Sequence, residues 1–372
     1  MKKILLHSRQ VVFPDAVREA ELLISDGKIE SIGPAEKFDE KIDAANHFVL
    51  PALIDIHYHG LFMFPDPEKI SSALERMKMM LARRGVAGFL ATFPATPLDR
   101  LCECLSALKP AAQRQAGTGA HLLGVHLEGP FLSKDAKGAQ PEDAIIEFDP
   151  NSKEMMRIFE AGDGLIKIMT VAPEQKFSKE LLKVLADKKI IASLGHSAVS
   201  YERALEFRAM GARGITHIFN GMSGIHHRNP GLALAGLDEH FYKEVIVDGF
   251  HIHPAVVNLV WKNTPRGKFI LVSDFVGDEE PLDFEPPRLN ATTFAGSRLR
   301  MLRAVRNLVK FTGASLPDAV CSASVWPSKI LGRDDLGRIQ PGADADLILA
   351  DHNLSLKAVI IKGVLLEHVK DV

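Results

Sequence analysis

Short apolar runs alternate with amphipathic stretches through the middle of the chain. Each run is followed by a loop and then by a stretch with helical spacing of apolar residues. Apolar runs of this length, bounded by turn residues, are typical of buried strands. The runs are Leu53–His57, Gly88–Phe93, Leu122–Glu128, Leu165–Val171, Ile190–Leu194, Gly214–His217, Glu244–Asp248 and Phe269–Asp274. Their alternation with helical stretches predicts parallel strands joined by helices.

The stretches between and after these runs predict helices. They include Glu68–Arg84, Leu98–Gln113, Lys179–Lys188, Tyr201–Met210, Ser297–Thr312 and Leu316–Leu331. Eight strand–helix units in series are the pattern of an α/β protein with a (β/α)8 TIM-like barrel. A doubly wound open sheet would also fit the alternation, but no Gly-rich dinucleotide loop follows an early strand.

Both ends of the chain contain short strand patterns without helices. The runs are Lys3–Leu6, Glu21–Ile24, Lys28–Ile32, His47–Leu50, Gly337–Ile339, Ala345–Ala350 and Ala358–Ile361. The Asp26-Gly27 pair between two alternating runs is a specific hairpin signal. We expect residues 1–50 and 336–372 to pair into one small β-sandwich domain, with the barrel in residues 51–335.

Composition and charge narrow the function classes. The chain has 372 residues, of which 46% are hydrophobic and 25% charged, a balance typical of globular proteins. Its formal net charge of -2 gives no electrostatic reason to expect nucleic acid as a partner. We expect no membrane contact, because no run approaches the length of a bilayer span and the N-terminus lacks the apolar segment of a signal peptide. These features predict a cytoplasmic protein.

The three cysteines, Cys102, Cys104 and Cys321, are too few for a disulfide framework. Cys102 and Cys104 fall in a predicted helix, where residues two apart point to different faces. We interpret all three as reduced packing residues, with metal binding as the less favoured alternative.

Side chains with metal-binding or acid–base chemistry lie where the apolar runs end. They are His57, His59, Glu128, His196, His217 and Asp274. In a parallel barrel the carboxyl ends of all strands meet at one face, where active sites are built. We therefore expect these side chains to converge.

The histidines and the glutamate predict a metal site. His57 and His59 lie two residues apart on a strand, so their side chains point the same way and can chelate one ion. Such a pair alone could equally cap the barrel mouth, but Glu128, His196 and His217 are expected on the same face. Nitrogen and oxygen ligands without thiolate suit Zn, Fe(II), Mn or Co and do not decide among them.

Asp274 has three interpretations. It could be a further metal ligand, the cap of the next helix, or a general acid and base. We favour the acid–base role, because a hydrolytic metal centre needs such a group and the cluster otherwise lacks one.

Several long motifs resemble the N-acetylglucosamine-6-phosphate deacetylases of the amidohydrolase superfamily. They are Pro51–Gly60, His126–Phe131, Gly195–Ser197, Thr216–Met222, His226–Gly231, Asp248–His251, Leu271–Asp274 and Gly337–Leu347. The motifs occur in the family's order and run nearly from end to end of the chain. The resemblance implies metal-dependent hydrolysis of the N-acetyl group of an N-acetyl-hexosamine phosphate, with N-acetylglucosamine-6-phosphate as the leading substrate.

The resemblance also implies roles for single residues. Glu128, His196 and His217 would hold the main metal ion. His57 and His59, with Glu128 bridging, could hold a second ion, so one or two divalent ions are expected. Asp274 would be the general base and acid.

For substrate binding, the resemblance implies that His251 contacts the sugar or the carbonyl oxygen. Asn220 and Gly221 would bind the phosphate. Arg228 would add a charged contact in its own site or in that of a partner subunit, since the family tends to form homodimers.

The chain departs from the family pattern at four positions. Gln140 replaces a histidine that usually contacts the sugar, and an amide can hydrogen-bond but cannot be charged. Gly221 stands where Ala is usual, Phe275 where a small residue follows the catalytic Asp, and Ala52 where Gly follows Pro51. The metal-ligand set is intact, so the reaction type is better supported than the substrate.

Two rival functions fit the sequence less well. Amidohydrolases that open cyclic amides typically bridge two metals with a carboxylated lysine at the end of the fourth strand, whereas Lys167 lies early in its run. A catalytically silent phosphosugar-binding protein on the same fold would have lost Asp274 or a ligand, and neither is lost.

Overall fold

A computed structural model describes residues 2–113, 117, 119–237, 240–277 and 285–366 of the chain. The strands in chain order are β1 (Lys3–Val12), β2 (Val17–Ser25), β3 (Lys28–Ile32), β4 (Glu40–Asp43), β5 (Phe48–Pro51), β6 (Leu53–Gly60), β7 (Val86–Phe93), β8 (His121–Glu128), β9 (Ile166–Val171), β10 (Ile191–Leu194), β11 (Gly214–Ile215), β12 (Tyr242–Val245), β13 (Phe269–Leu271), β14 (Phe275–Val276), β15 (Leu347–Ala350), β16 (Leu356–Ile361) and β17 (Val364–Leu366). The helices are α1 (Ile70–Arg83), α2 (Leu98–Gln113), α3 (Lys153–Ala161), α4 (Ser178–Asp187), α5 (Tyr201–Ala209), α6 (Leu232–Leu237), α7 (Pro254–Lys262), α8 (Met301–Thr312), α9 (Leu316–Ser322) and α10 (Val325–Ile330).

The larger sheet is curled and entirely parallel. Its nine strands follow the order β13-β12-β11-β10-β9-β8-β7-β6-β14. The two edge strands belong to one stretch of chain, because only Val272–Asp274 separates β13 from β14. Within the described residues no ladder joins these two edges. The α/β class and the serial parallel strands are confirmed, while the hydrogen bonds show an open half-barrel instead of a closed cylinder.

Burial on both faces explains the continuous apolar runs. Every residue of β6 and of β7 is buried, as expected for a parallel sheet covered by helices. Helix α1 buries Ile70, Leu74, Met77 and Leu81, whose spacing of three or four residues places them on one helical face.

The two chain ends pair into a second sheet, as predicted. Its order is β17-β16-β15-β5-β1-β2-β3, with β4 also paired to β1. The C-terminal strand β15 lies antiparallel to β5, and β5 lies parallel to β1. The strands form one eight-stranded sheet by their hydrogen bonds, so the two separate sheets of the predicted sandwich are not seen. The sheet has its own apolar core, which includes Val11, Leu22, Ile24, Val49, Leu347 and Ile360.

The predicted helix over Leu316–Leu331 is wrong as a single element. The chain forms α9 and α10 with a break at Ala323 and Ser324. The carbonyl oxygen of Ala323 accepts a hydrogen bond of 2.7 Å from the backbone nitrogen of Ile54 in β6. Because this carbonyl is used by the barrel sheet, the helix is interrupted at the point where it docks.

Other boundaries also differ from the prediction. The run predicted over Glu244–Asp248 is the strand β12, Tyr242–Val245, and the run Phe269–Asp274 is a strand only over Phe269–Leu271. Gly337–Ile339 is not a strand: Gly337 has φ +68°, and a Cβ there would lie 2.7 Å from the carbonyl oxygen of Ser324. Helix α8 begins at Met301, because Ser297 remains hydrogen-bonded to the backbone of Ser273 and Asp274. Helices α3, α6 and α7 occupy places in the strand–helix series for which no bounds were predicted, although Ser152 is a recognisable N-cap that accepts a hydrogen bond from Met155 N.

Cys102, Cys104 and Cys321 are buried and free, consistent with packing residues. None of the helices in the described ranges combines the length and the hydropathy that a bilayer span requires.

Candidate active site

The predicted site residues meet at the carboxyl ends of the parallel strands. A cavity of about 290 Å³ opens there. Its lining includes His59, Glu128, His196, His217, Asp274, Gln140, Asn220, Gly221 and His251. His57 lies directly beneath, with no exposed surface.

Glu128 is the centre of the cluster. Its Oε1 atom lies 2.7 Å from Nε2 of His217 and 3.0 Å from Nε2 of His196. Nε2 of His57 is 3.6 Å from the same oxygen, and Nε2 of His59 is 3.2 Å from Oε2. All five predicted ligands therefore direct one donor atom toward a common region.

Asp274 lies against the histidine pair. Its Oδ1 atom is 3.1 Å from Nε2 of His59 and 3.6 Å from Nε2 of His57. The backbone nitrogen of Asp274 donates to the carbonyl oxygen of His57 at 2.9 Å. The carboxylate thus faces both the cavity and the ligand set, where an acid–base group could act.

Strained backbone aims these side chains. His196, His217, Phe219 and Asp274 have φ values of 45°, 27°, 76° and 52°. Positive φ is unfavourable for residues with a Cβ atom, and such residues collect at functional sites. The sharp turn that follows each strand end directs its side chain into the cavity.

The electrostatics of the cluster fit a cation. Burial alone would raise the pKa of Glu128, but His57, His196 and His217 outweigh it and hold the pKa well below its usual range. Burial opposes charge on His59, whereas Asp274 and Glu128 raise its pKa to about 9. Both carboxylates are therefore ionised, and the positive charge that balances them comes from the imidazoles, whose place a cation could take.

The donor set also fits a metal ion. The ligand atoms of Glu128, His196 and His217 lie within 4.8 Å of one another, as do those of His57, His59 and Glu128. Within the described residues, the buried Nε2 atom of His57 has no hydrogen-bond partner. Nitrogen and oxygen donors in this arrangement suit Zn, Fe(II), Mn or Co.

Buried polar side chains lie beneath the cluster and support it, and the sequence did not reveal them. Glu244 on β12 places Oε2 2.9 Å from Nδ1 of His57. His126 on β8 lies beside it and bonds through Nε2 to Thr170 Oγ1 at 2.8 Å. The available signal was the charged pair Lys243-Glu244 inside an otherwise apolar strand.

Asp55 is a further buried polar residue beneath the cluster, and it was not predicted. It accepts hydrogen bonds from the hydroxyl of Ser273 and from the backbone nitrogen of His57. Burial raises the pKa of Asp55 to about 6. Because Ser273 precedes Asp274, this contact fixes the catalytic candidate relative to β6.

Gln140 lines the cavity, but both ends of its amide bond to the protein. Its Nε2 atom donates to Oε2 of Glu128 at 2.6 Å, and its Oε1 atom accepts from the backbone nitrogen of Ala95 at 2.8 Å. Since a backbone N–H can only donate, the amide oxygen must face Ala95 and the amide NH₂ must face Glu128. Gln140 therefore orients the central carboxylate.

Only some of the other residues predicted to bind substrate line the cavity. Nδ1 of His251 lies 2.6 Å from Oδ2 of Asp248, and His251 lines the cavity together with Asn220 and Gly221. Arg228, by contrast, is exposed and does not line the cavity. The chain alone therefore does not bring Arg228 to the site, and its role stays a prediction.

Gly221 departs from the usual Ala for a reason visible in the packing. It has φ +56°, and a Cβ atom would lie 2.7 Å from Nδ1 of His196. The missing side chain leaves room for this ligand candidate.

Comparison with known proteins identifies the family. The Amidohydrolase family model matches residues 48–366. The chain belongs to the amidohydrolase family. The amidohydrolase is 33% identical to N-acetylglucosamine-6-phosphate deacetylase of Bacillus subtilis (strain 168), over 94% of this chain and 93% of that protein. It is 31% identical to N-acetylgalactosamine-6-phosphate deacetylase of Escherichia coli O157:H7, over 92% and 93% of the two chains.

Solved structures give the same assignment. N-acetylglucosamine-6-phosphate deacetylase from Thermotoga maritima matches with a TM-score of 0.83 and 32% identity, over 96% of this chain and 97% of that one. A variant of the Mycobacterium smegmatis enzyme, solved in complex with N-acetyl-D-glucosamine-6-phosphate, matches with a TM-score of 0.87 and 26% identity, over 98% and 99%. The predicted family is confirmed, and this amidohydrolase is a hydrolytic enzyme.

The position of Lys167 argues against an amidohydrolase that opens cyclic amides. Lys167 on β9 bonds through Nζ to the carbonyl oxygen of Gly164 at 2.9 Å and is not among the residues that line the cavity. This position does not suit a lysine that bridges two metals.

Proposed function

We propose that this amidohydrolase hydrolyses the N-acetyl group of an N-acetyl-hexosamine 6-phosphate. The leading reaction converts N-acetylglucosamine-6-phosphate to glucosamine-6-phosphate and acetate. The observation that carries the proposal is the convergence of His196 and His217 on one oxygen of Glu128, with Asp274 beside them at the cavity. The names of relatives that match over nine-tenths of the chain support the substrate class.

The proposal includes one or two divalent metal ions. Glu128, His196 and His217 would hold the main ion, and His57 and His59 with Glu128 would hold a second. When bound, an ion of this kind would supply Lewis-acid chemistry that polarises a carbonyl oxygen and makes water more acidic. Zn, Fe(II), Mn and Co all suit this set of nitrogen and oxygen donors.

Asp274 would carry the proton in both halves of the reaction. His59 and His57 lower the pKa of Asp274 and outweigh the effect of its burial, so the carboxylate is ionised, which is the form that can accept a proton. Once the oxygen of the water that supplied the proton has bonded to the acetyl carbon, Asp274 would donate this proton to the amide nitrogen as the carbon–nitrogen bond breaks, which releases a neutral amine and acetate.

His251 would bind the substrate near the reacting group. Asp248 accepts a hydrogen bond from Nδ1 of His251, which holds the ring and leaves Nε2 as the atom toward a ligand. Phe294 packs against the same ring, with the two ring centres 4.9 Å apart. This support would keep His251 in one orientation as the acetyl group or the sugar enters.

The phosphate would bind near Asn220 and Gly221, with Arg228 supplying charge. Asn220 and Gly221 line the cavity, whereas Arg228 lies on the exposed loop of residues 224–229. A homodimer in which Arg228 reaches the partner's cavity would reconcile these positions. We include this dimer and a cytoplasmic location in the proposal; the three buried, free cysteines support a reducing compartment.

The same proposal keeps the (β/α)8 plan for residues 51–335, flanked by a small β domain of residues 1–50 and 336–372. The short separation of β13 and β14 along the chain supports it.

N-acetylgalactosamine-6-phosphate is a second candidate substrate. The E. coli relative is named for that sugar and is 31% identical, close to the 33% of the B. subtilis relative named for the glucose isomer. Gln140, which stands where the family usually has histidine, lines the cavity in which the two epimers would be distinguished.

Acetate release tests the proposal. The protein is loaded separately with Fe(II), Zn, Mn or Co and assayed with both phosphorylated sugars and with unphosphorylated N-acetylglucosamine. We expect turnover of at least one phosphorylated sugar and much weaker turnover of the plain sugar. Binding of the phosphosugars without acetate release in every metal form would instead identify a catalytically silent binding protein.

A further inference from the structure

Strand β8 carries a potential metal ligand at each end. Glu128 ends the strand at the candidate active site, and His121 begins it. Seven residue steps of about 3.3 Å separate the two by roughly 23 Å. His121 lies beside Asp346, which immediately precedes β15 of the small sheet. The contact therefore joins the amino end of a barrel strand to the C-terminal segment.

Two buried polar atoms face each other there without a partner. Nε2 of His121 and Oδ2 of Asp346 are 3.7 Å apart, which is too far for a hydrogen bond. In the part of the chain that the structure describes, neither atom has a hydrogen-bond partner. Only 8% of His121 and 3% of Asp346 are exposed. Such unsatisfied buried atoms are rare and require an explanation.

A third ligand lies next to them. The ligand atoms of His121, Asp344 and Asp346 are within 4.8 Å of one another. Oδ1 of Asp344 pairs with Nζ of Lys28 at 2.8 Å, and a carboxylate has a second oxygen for another partner. Asp344 is partly exposed, so solvent or an ion can reach the group.

We propose that His121, Asp344 and Asp346 form a structural site for a divalent cation of the Zn²⁺ type. One imidazole and two carboxylates are a suitable donor set for such an ion. The carboxylates of Asp344 and Asp346 would balance the charge of a divalent cation. A cation between His121 and Asp346 would satisfy both unpartnered atoms at once.

The protonation states favour binding. Burial lowers the pKa of His121 to about 4, so its ring is neutral at neutral pH and can bind a cation. Burial, with Asp344 beside it, outweighs the backbone hydrogen bond from Lys362 and raises the pKa of Asp346 to about 6.

The surrounding hydrogen bonds give the site a structural role. Oδ1 of Asp346 accepts from the backbone nitrogen of Lys362 at 2.7 Å. The carbonyl oxygen of Asp346 accepts from the backbone nitrogen of Ala52 at 2.9 Å. A bound ion would thus tie β8 to the segment that already contacts the start of β6 and the end of β16. This role is independent of the proposed deacetylation.

Zinc binding in a protein with a disabled active site tests the proposal. In a Glu128→Gln/His196→Gln background we expect calorimetry to show one zinc ion bound per chain and thermal unfolding at a higher temperature with zinc. Adding His121→Gln or Asp346→Asn should weaken this binding by more than about 100-fold, since loss of an outer-shell partner alone costs 10- to 100-fold. Binding that survives both substitutions, or no binding in the background protein, would overturn the proposal.

His7 offers a matched control. It also lies near two carboxylates, with Nε2 3.0 Å from Glu19 and Nδ1 3.5 Å from Asp43, but it is hydrogen-bonded and its carboxylates are exposed. His7→Gln in the same background should leave zinc binding unchanged. If the His121 variant does not fold, the zinc content of the otherwise unaltered protein tests the proposal. It is measured before and after chelator treatment. A zinc content no greater than the active site accounts for contradicts the site.

Discussion

Nδ1 of His57 lies 2.9 Å from Oε2 of Glu244, and both side chains are fully buried. A carboxylate on one ring nitrogen fixes the orientation of the ring and makes the other nitrogen a better ligand. Here the other nitrogen, Nε2, faces Glu128 and Asp274 at 3.6 Å. Glu244 therefore positions His57 from beneath the active site.

Replacing Glu244 by Gln should weaken binding of the ion at His57 and His59. The amide keeps the size of the side chain but loses its charge, so a loss of about 10- to 100-fold in metal affinity is expected. Competition with a chelator measures the affinity. Glu202→Gln, on the exposed side of α5, is the matched control and should have no effect. Equal affinities for both variants would contradict the positioning role.

Asp274→Asn should reduce acetate release by about 10²- to 10⁴-fold, because asparagine cannot transfer the proton. Metal content should stay at the level of the parent protein if Asp274 is an acid and base. Elemental analysis of the variant therefore separates the acid–base interpretation from the metal-ligand interpretation. Loss of an ion together with activity would make Asp274 a ligand.

Gln140→Ala should act mainly through Glu128. It removes the amide donor from Oε2 of Glu128 and the acceptor from Ala95 N. We expect lower kcat and weaker metal binding with a smaller change in KM, measured by steady-state kinetics on the metal-loaded enzyme. A change confined to KM would instead indicate a direct sugar contact. Gln140→His, which restores the family's usual residue, should retain activity.

Gly221→Ala should impair the enzyme although Ala is usual there in the family. A Cβ atom would lie 2.7 Å from Nδ1 of His196, and Gly221 has φ +56°. We expect a loss of more than about 1 kcal/mol in the free energy of unfolding and a fall in activity. Gly224→Ala is the control, because a Cβ atom there meets open space. Chemical denaturation and acetate release compare the two variants, and equal behaviour would show that the loop relaxes around His196.

Arg228→Ala should lower kcat/KM for the phosphorylated sugar by about 10- to 100-fold. This fold-change corresponds to the free energy of one hydrogen bond between charged groups. The plain sugar should be unaffected, since it has no phosphate for Arg228 to bind. Kinetics with both sugars check this, with Arg298→Ala as a control for loss of charge. An equal effect on the two substrates would show that Arg228 does not bind the phosphate.

The order of the strands and the main site residues could be predicted from the sequence. Parallel strands place their carboxyl ends at one edge, so His57, Glu128 and His217 were expected to meet once the apolar runs were recognised. The pairing of the two chain ends was accessible for a similar reason, because both contain strands without helices. These features depend on local pattern and chain order.

The supporting contacts could not be predicted, because they join residues far apart in the chain. Glu244 and His57 are 187 positions apart, and nothing near Glu244 in sequence indicates that its carboxylate faces a histidine. The amide direction of Gln140 follows from Ala95 N, a backbone group 45 positions away. The break between α9 and α10 follows from a hydrogen bond to β6.

Arg228 shows that a sequence motif does not determine where a side chain lies in the folded chain. Its motif predicted a phosphate contact, yet the chain leaves its side chain exposed outside the cavity. The sequence by itself determined which chemical groups stand at the strand ends, because strand periodicity and order are local properties. Only the tertiary structure decided which atoms support them, since hydrogen bonds and burial depend on distances that the packed chain alone defines.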